Sequence, residues 1–261
     1  MHSERNPRSL LRGLASELQE KSTLHFEDSL QLAAGSFKKI LIVAAHPDDE
    51  VLGCGGTIAR LVEEGHEAYT LILGEGVTSR DKSRDKVKRK KELKSLKKQA
   101  LDANRILGTK DIFIHDLPDN RFDTVPFLDI VKVIENFRDK IKPDTIFTQY
   151  ERDLNIDHQI TYRAVITATR PLSDESVKEV YSFETLSSTE WNFPLNFSPD
   201  VYFDISNYLD RKIEAMERYK TELKNFPHPR SVDGIRLSAK RWGMQVGLEY
   251  AEAFKLVRMI R

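Results

Sequence analysis

The stretch from Ile40 to Gly56, ILIVAAHPDDEVLGCGG, limits what this chain can fold into more than any other. Ile40 to Ala45 are apolar without alternation, the pattern of a strand buried on both faces, and such strands lie at the centre of parallel sheets covered by helices. The run ends in His46, Pro47, Asp48, Asp49 and Glu50. In open α/β sheets ligands bind outside the carboxyl ends of the strands, so one imidazole and three carboxylates at this point mark a candidate site. Gly53, Cys54, Gly55 and Gly56 follow; small residues there let a helix pack closely on the sheet, a reading preferred to Cys54 as a nucleophile or ligand.

Beyond this point strand, loop and helix alternate. Thr57 to Glu64 predicts a helix stopped at Gly65, and Glu67 to Leu73 a second strand. The loop from Gly74 to Asp85 then faces the same side as His46. A helix with Leu93, Leu96, Ala100, Ala103 and Leu107 on one face ends at Gly108. Asp111 to His115 and Thr145 to Gln149 read as strands, with a helix from Phe127 to Ile141 between them that stops before Pro143. Next come a helix from His158 to Arg170, a strand from Val180 to Phe183, a short strand from Val201 to Ile205, and helices from Tyr208 to Leu223 and Val232 to Trp242. The expected fold is a Rossmann-like α/β domain over residues 38–261: a mostly parallel sheet, helices on both faces and an elaborated C-terminal third. Leu10, Leu11, Leu14 and Leu18 predict a helical N-terminal extension over residues 1–37 that covers an edge of the domain or a neighbouring copy in a homo-oligomer.

Charge narrows the class of partner. The 41 basic and 41 acidic residues cancel, which argues against nucleic acid or an acidic membrane as a partner of the whole surface. Locally, eleven Lys or Arg between Arg80 and Lys98 face only Asp81, Asp85 and Glu92. That face is either simply solvated or a basic rim for an anionic substrate, with Arg80 among the substrate-binding candidates. A nucleic-acid groove is set aside because no aromatic platform accompanies the charge. One cysteine allows no internal disulfide and suits a reducing compartment. With no long apolar run and no leader-like N-terminus, the expectation is a cytoplasmic protein without membrane insertion.

The chemistry centres on His46 and Asp49. If Pro47 opens a helical turn, positions 46 and 49 project to one side and can bind one cation. Nitrogen with carboxylate oxygen suits Zn²⁺, and an open zinc site has three protein ligands. His158 is the best third ligand, because its loop follows the fourth strand and shares the carboxyl edge with His46. Asp48, lying between ligands, is placed to take a proton from a metal-activated water as it attacks a carbonyl, the pattern of amide or ester hydrolysis. Glu50 is equally well explained as a residue complementing the helix dipole. His228, between Pro227 and Pro229, is a candidate acid or substrate contact.

AHPDDE at 45–50, the GCGGT that follows and DH at 157–158 resemble the PIG-L or LmbE-like family of zinc-dependent deacetylases, over about Lys38 to Arg170 and more loosely to the C-terminus. The resemblance implies one Zn²⁺, or another divalent metal, per chain on His46, Asp49 and His158, with Asp48 as general base and Asp157 orienting a catalytic partner. It implies substrate contacts from Arg89, in an Arg-x-x-Glu element with Glu92, and from Asp119. The implied substrate is an N-acetylated amino sugar, free or nucleotide-linked. The chain departs from the family at Asn155, where several relatives carry a histidine. Asn155 donates a hydrogen bond but transfers no proton, which leaves the general acid open between Asp48 in a second role and His228. It also supports an alternative, a sugar or nucleotide binding module that keeps the metal without catalysis.

Overall fold

The central strand, β1 (Lys39–Ala44), pairs in parallel with β2 (Glu67–Gly74) on one edge and β4 (Thr145–Gln149) on the other. The computed structural model describes residues 38–194 and 197–261, so the extension expected over residues 1–37 lies outside the described residues. Adding β3 (Asp111–Leu117), β5 (Glu179–Phe183), β6 (Val201–Asp204) and β7 (Ala251–Met259) gives a seven-stranded sheet in the order β3-β2-β1-β4-β5-β7-β6. Strands β1 to β5 are parallel, as expected, and β7 runs antiparallel to both of its neighbours.

Among the described residues six α-helices cover the sheet: α1 (Asp49–Glu63), α2 (Lys90–Leu107), α3 (Phe127–Ile141), α4 (Ile156–Ala168), α5 (Leu209–Arg218) and α6 (Val232–Val246). The unbroken apolar run of β1 serves both faces. Ile40, Ile42 and Ala44 pack with Ile58 of α1, Ala100 of α2 and Met216 of α5. Leu41, Val43 and Ala45 pack with Ile134 of α3 and Val165 of α4. Each fully buried Ile, Leu or Val here contributes about 1.5–3 kcal/mol of transfer free energy, so a polar substitution on either face is strongly destabilising. No described helix is long and apolar enough to cross a membrane.

Element boundaries differ from the sequence expectation in several places; α6, for one, runs to Val246 rather than Trp242. Helix α1 begins at Asp49, not Thr57, so the glycines expected to allow close packing lie inside the helix itself, where neighbouring side chains occupy the space a Cβ would need. A Cβ on Gly53 would lie 2.1 Å from the Phe183 ring, and one on Gly56 2.9 Å from Ile205. The helix also kinks at Cys54, whose φ of −145° is not helical. The kink frees the amides of Gly56 and Thr57, which donate to the Glu252 carboxylate at 3.0 and 2.7 Å. Glu252 belongs to β7, the strand the sequence reading missed, since the charges at Glu252, Lys255 and Arg258 break its apolar pattern. Lys212 Nζ, 2.6 Å from Glu252, completes that buried pair. Lastly, α5 stops at Arg218 rather than Leu223.

The strand order reverses between β1 and β4, which opens a crevice at their carboxyl ends. The loops after β1 and β4 both enter it.

Candidate active site

His46 leaves β1 directly into this crevice, and the turn that follows is strained. Asp48 has φ +106°, uncommon for a residue with a Cβ, and such backbone costs about 1–3 kcal/mol unless its surroundings hold it. Glu50 holds it: Oε2 accepts from the Asp48 amide at 3.1 Å, while Oε1 accepts from Tyr219 Oη at 2.6 Å and Asn104 Nδ2 at 2.9 Å. Glu50 is therefore a buried anchor of the turn, more than a complement to the dipole. Burial pushes its carboxyl up to about 7.

The turn brings His46 and Asp49 together, although the helix starts at Asp49 rather than Pro47. His46 Nδ1 lies 3.5 Å from Asp49 Oδ2, His158 Nε2 lies 3.4 Å from the same oxygen, and the two nitrogens are 3.3 Å apart. A tetrahedral ion with bonds of about 2.0–2.2 Å needs ligand atoms about 3.3–3.6 Å apart, the spacing these three atoms have. All three residues are buried, and together they form a group able to hold a metal. His46, Asp119 and Asp157 also converge, but there Asp157 Oδ1 accepts from the Phe122 amide, and Asp119 accepts from Ser79 and Asn120. The first trio fits an ion better.

Outer partners fix the direction of each ligand atom, as metal-binding histidines require. Asp157 Oδ2 is 2.9 Å from His46 Nε2; a carboxylate only accepts, so Nε2 carries the hydrogen and Nδ1 keeps its lone pair for a cation. On His158 the outer carboxylate is Asp153, 3.1 Å from Nδ1 though out of line for a good hydrogen bond. Asp49 Oδ2 accepts from the His46 amide at 2.8 Å and from Gln149 Nε2 at 2.7 Å, and Thr185 donates to Gln149 in turn.

Electrostatics follow this geometry. Burial works to lower His158, but Asp49 and Asp153 raise it to about 9; burial likewise opposes Asp157 and Asp49 at His46, which they lift well above the usual range. Burial acts to raise Asp49 too, yet the two imidazoles hold it well below the usual carboxylate range. Asp48 is pushed up to about 8 by burial, against the pull of the Arg230 guanidinium. A cation on the trio acts in the same direction as Arg230 and favours the ionised carboxylate.

A family model described as GlcNAc-PI de-N-acetylase matches residues 41–169. The chain belongs to the PIG-L or LmbE-like deacetylase family. It is 25% identical to the uncharacterised deacetylase YaiS of Escherichia coli over 75% of this chain and 97% of that protein. To the diacetylchitobiose deacetylase of Thermococcus kodakarensis it is 27% identical, over 84% of this chain and 83% of that one. Among solved structures, the N,N'-diacetylchitobiose deacetylase of Pyrococcus horikoshii superposes with a TM-score of 0.68 at 20% identity, covering 99% of this chain and 95% of that chain.

In this PIG-L-family chain the cleft above the trio is lined almost wholly by polar groups, with Pro47, Gly76 and Leu186 the exceptions. Asp48 reaches into it, and its Oδ2 accepts from Arg230 Nη1 at 2.9 Å. Glu222 bridges the mouth, 2.8 Å from Arg80 Nη2 and 4.0 Å from Arg230. Asp119 lines the floor beside Ser79. Asn155 caps α4, accepting from the Asp157 amide and donating to Asn120 at 2.8 Å each. Arg89 does not line the cleft: Asp81 and Glu92 occupy its guanidinium on the outer surface, which removes it as a free substrate contact. Nor does His228, whose ring packs against Trp191 and whose Nδ1 accepts from the Arg230 amide. Arg230, two residues on, occupies the place expected for His228. Its signal was the FPHPR loop itself, since a rigid loop beside an arginine can deliver that arginine as readily as the histidine. Asp153 was also missed, although a carboxylate in the loop that carries a histidine ligand is what an outer partner looks like.

Proposed function

We propose that this deacetylase removes the N-acetyl group of an amino sugar or a related small N-acetylated compound, using zinc held by His46, Asp49 and His158. Bound there, the ion supplies a Lewis acid for the acetyl carbonyl and lowers the pKa of a water to near 7. Asp48 takes the proton of the attacking water. Arg230 engages Asp48 Oδ2, and Asp48 lines the cleft above the trio. With His228 outside the cleft lining, Asp48 also returns the proton to the leaving amine, and acetate and the free amine depart. Asn155 and Asn120 present amides, and Ser79 and Asp119 a hydroxyl and a carboxylate, suited to sugar hydroxyls rather than to an apolar ligand.

The observation that carries this reading is the trio of ligand atoms 3.3 to 3.5 Å apart beside a buried carboxylate in a polar cleft. The sugar preference is consistent with the diacetylchitobiose deacetylases it resembles. The test is acetate release from a panel of N-acetyl amino sugars, free and nucleotide-linked, with zinc supplied or chelated. Zinc-dependent release from at least one sugar is expected. Release from none of these sugars would overturn the sugar preference, and release indifferent to chelation would overturn the metal.

A further inference from the structure

The β3 edge of the molecule carries a surface that the reaction does not use. In the first half of α2, Lys90, Lys91, Lys94, Lys97 and Lys98 are exposed, and none makes an ion pair among the described residues. The neighbouring cations are neutralised: Arg84 by Glu75, Lys86 by Asp116, Lys88 and Arg89 by Asp81. Glu92, the one acid of this half-helix, is taken by Arg89. Positive charge therefore concentrates on one helix face of a chain whose net charge is zero.

Lys90, Lys94 and Lys97 fall at helical spacing, in line along the helix. They line a groove of about 400 Å³ between α2 and β3 together with Leu93, Ile114 and Pro47, and the groove's two acids, Glu75 and Asp116, are already paired with Arg84 and Lys86. Val87, in the preceding loop, is 86% exposed. Cations beside apolar side chains favour an amphiphile: ammonium groups attract anions while hydrocarbon covers the apolar lining. Duplex DNA or an acidic polypeptide would satisfy the lysines and leave that lining wet.

We propose that this face of α2 docks the chain peripherally on an anionic phospholipid surface, the lysines meeting headgroup phosphates and Val87 with the Leu93–Ile114 groove meeting the apolar boundary below. Because α2 begins at the carboxyl edge of the sheet, the docked face adjoins the mouth of the cleft. Lys91 shares a hollow with Arg80, which itself lines the cleft. The assignment goes beyond the deacetylase reading and does not depend on the substrate.

The test is co-sedimentation of the full chain with phosphatidylcholine vesicles, with and without phosphatidylglycerol, over a salt series. Binding is expected only with the anionic lipid and is lost at high salt. At about a fivefold loss per lysine near the surface, the K90Q/K94Q/K97Q variant binds roughly 100-fold more weakly. Its melting temperature and its activity on a soluble substrate should be those of the wild type. Val87→Ser weakens vesicle binding but leaves polyglutamate binding unchanged. The proposal is overturned by failure to sediment with anionic vesicles, by vesicle binding the triple variant retains, or by tighter binding of polyglutamate or duplex DNA than of vesicles at equal charge.

Discussion

Asp157→Asn changes one atom, and the geometry says what that atom does. The wild-type carboxylate is fully buried and accepts twice: Oδ1 from the Phe122 amide and Oδ2 from His46 Nε2, both at 2.9 Å. An asparagine has one acceptor for these two places. If its oxygen faces Phe122, its amide donates to His46 Nε2, the imidazole hydrogen moves to Nδ1, and the atom facing His158 and Asp49 is no longer a ligand. If the oxygen faces His46, the ligand survives, but two buried N–H donors oppose each other at Phe122, at a cost of about 1–3 kcal/mol. The metal-free protein adopts the first arrangement, in which both hydrogen bonds are kept, and metal binding must drive it into the second. Zinc affinity should therefore fall roughly 5- to 150-fold, in line with the effect of outer-partner changes at other metal sites, while metal-free stability changes by less than about 1.5 kcal/mol. Competition against a chromophoric chelator measures the first quantity, and urea denaturation of the metal-free protein the second. Zinc affinity within about twofold of wild type, or a loss of stability larger than the loss of binding energy, would refute the tautomer argument.

Without metal, stability should fall as pH rises. His158, raised to about 9 in the fold, contributes stability that is complete below its unfolded value near 6.5 and is lost as pH climbs through 9. Asp48, raised to about 8, acts with the same sign from its ordinary range upward. Melting temperatures of metal-free protein should decline between about pH 6.5 and 9 and, with zinc present, should not, since the metal takes the deprotonated ligands; a metal-free profile that rises over this window contradicts the assignment. Lys212→Met strips Glu252 of its buried partner and should cost about 3–5 kcal/mol in urea denaturation, with part recovered in Lys212→Met/Glu252→Gln. A single variant no less stable than the double one would mean that Glu252 does not need the charge.

Much of the site could be read from the chain because its residues sit at strand ends. The apolar run of β1 places His46 at the carboxyl edge of the sheet, and the same reasoning brings His158 there from β4. Alternation of strand and helix gave the parallel core, because short strand-like runs such as TIFTQ of β4 are each followed by a helical pattern long enough for a crossover. What escaped was set by contacts distant in sequence. The GCGG segment reads as small residues for close packing, but that the helix already runs through it shows only where Phe183 and Ile205 fill the space that side chains would need. β7 looks too charged for an inner strand until Glu252 meets Lys212 and the amides freed by the kink in α1. Arg89 reads as a free cation because sequence does not show that Asp81 folds back upon it. Arg230 and His228 share one loop, and only its path decides which of them reaches Asp48.

The account rests on a division of labour between the trio and Asp48, and zinc titration of metal-free wild type and Asp48→Asn, with bound metal and acetate release followed in the same samples, tests it most directly. Both proteins should bind one zinc per chain; acetate release from a responsive N-acetyl amino sugar should rise with zinc in the wild type and saturate at one equivalent, and in the variant should stay about 10²–10⁴-fold lower. Normal acetate release by Asp48→Asn, or full release by wild type carrying no metal, would contradict it.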